Sequence, residues 1–358
     1  MSTQPRYPQT YDVIQTLSEF CSSRFLIEFS RKKGIFITNA KLSERAEFLS
    51  GLFFDNEELE EIRDNALGNT GETTLSGFWL EVKEEDFDLI KELKEFSNTQ
   101  IDKYYEMQLG NITGSEEKGF KGAVTYQQKS PGRFQFLQGT EREFEFYLNP
   151  MREGRWEVMV DGSRSNDARL FSDWLHKEAC RSVEAKISSI EQEKLTTKQM
   201  IVFFDELSKK AVTKDWVFTQ VKRITIRREN QIDEEDDEVS ETDASVLTGI
   251  TQAILEGQNL RSNDFVRQCE DGGYRFTSMS YEYENKKLGY IMEVRAEYKL
   301  KPKVFEVALD RYIKVQGIEG KHEDAVMQND EKTTLLKRFY STAKNIYDNL
   351  ISFGVPSI

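Results

Sequence analysis

Histidine and cysteine are scarce. The 358 residues include two histidines, His176 and His322, and three cysteines, Cys21, Cys180 and Cys269. A Cys/His zinc site needs ligands in closely spaced pairs, and none occurs. An odd, scattered cysteine count argues against a disulfide framework and fits a reducing compartment. There is no apolar run of 18 residues, and "MSTQPRYPQTYDV" lacks the charged-then-apolar order of a signal peptide. Phosphate loops are missing too: no GxxxxGK[ST], and no GxGxxG after a strand. "DGSRSND" and "NDEKTT" lack calcium-loop spacing, and no Gly-x-Ser-x-Gly elbow appears. The expectation is a cytoplasmic protein with no cofactor, no metal and no membrane partner. A catalytic triad would have to use one of the two histidines. His176, in "FSDWLHKEAC", reads as a helix-face residue, and His322, in "EGKHEDA", as a turn residue.

What is present is aromatic and acidic. Hydrophobic residues make up 38%, with 24 Phe and 14 Tyr, too many for a mainly disordered chain. The formal net charge is −14. Residues 231–245, "QIDEEDDEVSETDAS", hold eight acids and no base, so the other 343 residues carry only −6. Six successive acids, 233–238, repel one another and have no apolar stripe to bury. The stretch therefore reads as a connector, one that could also dock on Lys222, Arg223 or the 286–287 turn.

The patterns give an α+β protein of two domains, each a small antiparallel meander packed with helices. The expected boundaries are 1–228, an acidic linker 229–243, and 244–358. In the first part, residues 10–22 read as a helix and "RFLIEFSRKKGIFITN" as a hairpin turning at Gly34. Helices are expected at "KLSERAEFLSGLFF", "NEELEEIRDNALG" and "EEDFDLIKELKEF", with a strand at "SGFWLEV". Four short β runs fill 121–162. In one of them Phe144, Phe146 and Leu148 face a core, while Glu143, Glu145 and Tyr147 face water. Residues 167–192 read as one long helix. Residues 196–210 read as another, with Thr196 and Gln199 as a capping box and Leu195 and Met200 as a staple. After the strand "WVFTQVKRITIRR" and the acidic stretch come helices 244–256 and 262–271, three β runs, and a closing helix 331–352.

Three constellations bear on function. "VMVDG" followed by "SVEAKIS" resembles the PD-(D/E)xK nuclease signature. The resemblance implies that Asp161 and Glu184 hold a divalent metal and that Lys186 steadies the attacked phosphate. The spacing of Phe171, Leu175, Ala179, Val183, Ile187 and Ile190 instead suggests a helix, on which Glu184 and Lys186 would point about 200° apart. The order helix, turn, helix, hairpin over 244–315 matches a winged helix. Arg261, Arg267 and Arg275 would then meet phosphates, with Lys286 and Lys287 on the wing tip. Tyr281, Tyr283, Tyr290, Tyr298 and Tyr312 could form a binding face or the border of a core. The leading reading is a non-enzymatic adaptor, regulatory or structural subunit that contacts another protein. A nucleic-acid-binding subunit is the first alternative and a nuclease the second.

Overall fold

The computed structural model describes residues 7–66, 74–96, 100–102, 107–127, 141–228, 252–256, 268, 274–316 and 321–353, leaving out 22, 39, 85, 153, 163, 164, 301 and 302. In chain order the elements are α1 (Thr10–Gln15), α2 (Ser23–Lys32), α3 (Leu42–Ser50), α4 (Asn56–Ala66), β1 (Thr74–Val82) and α5 (Leu89–Glu95). Next come β2 (Gln100–Asp102), β3 (Met107–Leu109), β4 (Thr113–Ser115), β5 (Gly119–Gln127), β6 (Glu141–Pro150), β7 (Arg155–Gly162) and α6 (Ser165–Trp174). Then follow β8 (Ala185–Ser188), α7 (Thr197–Lys210), β9 (Val217–Arg228), β10 (Gln252–Glu256), β11 (Tyr274–Asn285), β12 (Tyr290–Leu300), β13 (Lys303–Gln316), β14 (Lys321–Asp324) and α8 (Asn329–Phe353). Short π-helical turns extend α1 over Thr16–Phe20 and α6 over Leu175–Ala179. Helices and an extensive antiparallel sheet make the chain α+β.

Two compact units result. The first comprises residues 1–72, 94–111 and 123–144, and the second 73–93, 112–122 and 145–358. The first unit is led by helices. Val13, Leu17, Leu26, Phe29, Ala46, Leu49, Phe54 and Ile62 form its core. Residues 23–32 are helix, not the first arm of a hairpin. Phe25, Leu26 and Phe29 lie at i, i+1 and i+4, which puts them on one helical face, and that burial outweighs the short alternation in "RFLIEF".

The second unit is built on the sheet. Its strand order is β10-β9-β11-β12-β13-β1-β7-β6, with β8 also on β1 and β14 on β13. Two helices cover one face at β9 to β13. Met200, Phe203, Phe204 and Leu207 of α7 and Leu336, Phe339 and Tyr340 of α8 pack on Ile224, Phe276, Met279, Tyr281, Tyr283, Val294 and Phe305. Thr196 caps α7 by accepting the Gln199 N–H, and Gln199 donates onward to the Leu350 carbonyl of α8 (2.9 Å). At β1 the sheet is covered on both faces, and six consecutive residues, 75–80, are buried. Tyr340 of α8 donates to the Gly77 carbonyl and stacks on Trp79 (5.7 Å). A Cβ at Gly77 would lie 2.3 Å from the Val158 oxygen, so the strand needs glycine there.

The sheet corrects the expected domain map. β9 precedes the acidic stretch and β11 follows it, yet the two pair from Tyr274↔Arg228 to Glu284↔Val217. Likewise β1 pairs β13 through Leu75↔Val307. Residues 229–243 therefore do not separate two folded domains, and the sheet is not two small meanders. The stretch itself, 231–245, lies outside the described residues. So do most of 262–271 and the β run "RFQFLQG".

Two helix expectations also change. Residues 252–256, expected to end a helix, form strand β10 on β9. The long helix expected over 167–192 stops at Ala179, and Ala185–Ser188 form β8 on β1.

Candidate functional site

The first unit presents an exposed aromatic pair, Tyr7 and Phe53. α3 ends at Gly51 and the chain runs on without helix through Phe53 and Phe54. Phe54 enters the core beside Phe29 (5.8 Å between rings), while Phe53 stays 79% exposed. The Tyr7 ring stacks on Phe53 at 5.4 Å and 5°, and its hydroxyl accepts the Phe54 N–H (3.0 Å). Lys33 donates to the Phe53 carbonyl (3.3 Å) and pairs with Glu58 (2.6 Å). Phe53 is thus both exposed and held from several sides. Phe36, Phe48, Tyr7 and Tyr11 of the same unit are exposed as well.

In the second unit, a charged cluster joins α8 to the sheet. The Lys337 amine sits over the Tyr147 ring, 3.1 Å from its centroid. Tyr147 donates to Glu145 (2.7 Å), which also pairs with Lys121 (2.7 Å). Thr333 donates to one Asp161 oxygen (3.1 Å), and the other, Oδ1, is buried with no hydrogen-bond partner. Burial pushes the Asp161 carboxyl up and draws the Lys337 amine down to about 8. Burial and the bond to Glu145 raise the Tyr147 hydroxyl. The face expected to be wet at Tyr147 is therefore covered, with the Lys337 amine over the ring.

A cavity of about 570 Å³ lies elsewhere in this unit. It is lined by Glu81, Lys83, His176, Glu184, Lys186 and neighbours. The π-helical turn, closed by the bond from the Cys180 N–H to the Leu175 carbonyl (2.9 Å), carries His176 to its wall. Pairing of β8 with β1 sets Lys186 opposite Glu81. Lys83 pairs with Glu184 (2.6 Å), and Arg155 with Glu81 (3.2 Å).

This geometry locates the residues marked in the sequence. Glu184 and Lys186 share the cavity, but Asp161 pairs with Leu75, six residues back along β1 from Glu81. At 3.3 Å per residue that is about 20 Å, so the structure does not assemble the three around one metal. Among the described residues no group of three or more His, Cys, Asp or Glu could hold a metal ion. Arg261 and Arg267 lie outside the described residues. Arg275 is the second residue of β11, and Lys286 and Lys287 sit in the turn after it, roughly 35 Å further on at strand spacing. Lys287 pairs with Asp215 (3.5 Å) and Lys286 approaches Glu284 (4.0 Å). Tyr281 and Tyr283 are core residues, donating to the carbonyls of Phe204 (3.0 Å) and Ser208 (2.9 Å). His322 lies on β14. Sequence reasoning missed the exposed aromatic pair. Its one signal was "LFF" following a glycine, which carries no sign of which phenylalanine turns outward.

No family model matches the chain, and no curated protein matches it. Among solved structures the chain is similar to the crystal structure of DynU16, a protein in the dynemicin biosynthetic locus. The identity is 10%, covering 77% of this chain and 98% of that one, with a TM-score of 0.16. A likeness at that score carries no argument about fold or function. Among the described residues no helix is long and apolar enough to cross a membrane.

Proposed function

We propose that the protein is a non-enzymatic adaptor or regulatory subunit that docks another protein through the exposed aromatic pair of its helical unit. The observation that carries this reading is the Tyr7–Phe53 stack, exposed yet fixed by bonds to Phe54 and Lys33. Aromatic side chains held rigid in the free state lose little entropy on binding, and such residues dominate interface energetics. Phe36, at 76% exposure, and Phe48 extend the apolar surface of the same unit. Arg31, exposed at the end of α2, has no side-chain partner among the described residues and offers a charge on the same unit. The fitting partner is a protein surface with apolar pockets and a nearby carboxylate.

The test is capture from native lysate, compared between wild type and Phe53→Ser with quantitative mass spectrometry. A protein retained by wild type and lost from the variant supports the reading, provided both unfold at the same temperature. Equal capture by both, or no selective capture, rejects it. Sedimentation of the purified chain checks that the stack does not simply pair with a second copy.

A further inference from the structure

We propose that the cavity between the π-helical turn and β8 binds a small phosphate-bearing ligand, held by Lys186 and His176. Most charges lining the cavity are already answered. Of the two carboxylates in the wall, Glu81 takes Arg155 and Glu184 takes Lys83. The side chains of Lys186 and His176 have neither an ion pair nor a hydrogen bond among the described residues. The Lys186 ammonium and the His176 imidazole, both lining one cavity and both without a hydrogen-bond partner there, suit the acceptor oxygens of a phosphate monoester.

The backbone explains why they meet. A π-helical turn is a rare ending for a helix, and such turns recur at functional sites. Here the turn closes α6 at Ala179, and only five residues separate it from β8. The short return brings the second residue of the turn, His176, to the wall that Lys186 shares. Antiparallel pairing with β1 sets Lys186 opposite Glu81, and Lys83 lines the same cavity. The volume of about 570 Å³ exceeds a bare phosphate and suits a small organic molecule carrying one. Glu81 and Glu184 would then accept from hydroxyl or amine donors on the rest of the ligand.

The chain's two histidines provide the test. Histidine-labelled protein is titrated with inorganic phosphate at constant ionic strength and followed by NMR. The His176 resonances are expected to shift and saturate while those of His322, on β14, stay still. Lys186→Ala is expected to weaken the apparent affinity by about tenfold, the loss of one charge-assisted contact. The Lys186 side chain is exposed and has no hydrogen bond or ion pair among the described residues, so the variant should keep the wild-type melting temperature. Lys209→Ala, on α7, serves as a charge control and should bind as wild type. Shifts that grow linearly in both histidines, an unmoved His176, or equal affinity in Lys186→Ala would each overturn the proposal.

Discussion

Lys337 shows how a single side chain can tie stability to pH. Its amine is drawn down to about 8 by burial, partly opposed by Asp161 and Glu145. A free lysine titrates near 10.4, so between these values the unfolded chain binds more protons than the native one. Stability from this group therefore rises with pH from about 8 to about 10. Cys21 and Cys180 act in the opposite sense, since burial lifts their thiols to about 12 and about 11. The unfolded thiols lose protons first, so their contribution falls above about 8.5. Comparing wild type with Lys337→Met isolates the lysine: denaturant midpoints of the two should converge as pH climbs from 8 to 10. A constant gap would show that the amine is not desolvated. The buried tyrosines make a second contrast. Tyr281 donates to Phe204, whereas the Tyr298 hydroxyl is buried with no hydrogen-bond partner. Tyr281→Phe should cost about 1 kcal/mol in chemical denaturation, and Tyr298→Phe should be neutral or stabilising.

Within single elements, the sequence was clearest where burial and periodicity agree. The α7 cap at Thr196 and Gln199, the three long strands β11 to β13 and the closing helix α8 were all legible. Residues 167–192 misled for a definite reason. A stripe at spacings of four fits a helix, but four is also a multiple of two. Val183 and Ile187 therefore satisfy a strand equally, and nothing local shows where α6 gives way to β8. "QAILE" before Gly257 suggested a helix end, but pairing with β9 made it a strand. The cavity was half legible: Glu184 and Lys186 stood out, but His176 joins them only because the helix stops early. Gly77 supplies the prediction for elements. Its missing Cβ lets β1 pass close to β7 and to the Tyr340 ring (3.2 Å from a built Cβ). Gly77→Ala should lower stability by about 1–3 kcal/mol, read from thermal or urea unfolding. A wild-type midpoint would show that β1 and β7 have room to part.

Across the whole molecule, chain order and spatial order diverge. The acidic run looked like a boundary because composition changes there, yet β9 and β11 pair across it and α7 bonds to α8. Composition reports solvation of a segment, while strand pairing at long separation leaves no local mark. The separate fragment 244–358 lacks α7 and β9 and should show no cooperative unfolding by circular dichroism. A sharp transition in that fragment would restore the linker as a domain boundary. The helical unit carries the exposed Tyr7–Phe53 stack, which was invisible in the sequence because the neighbouring Phe53 and Phe54 differ in burial, one exposed and one in the core. The decisive measurement is calorimetric affinity of wild type and Phe53→Ser for the partner captured by wild type. Loss of a central aromatic anchor should weaken binding by about 30-fold, equivalent to about 2 kcal/mol. Equal affinities, with both proteins folded, would contradict docking through this stack.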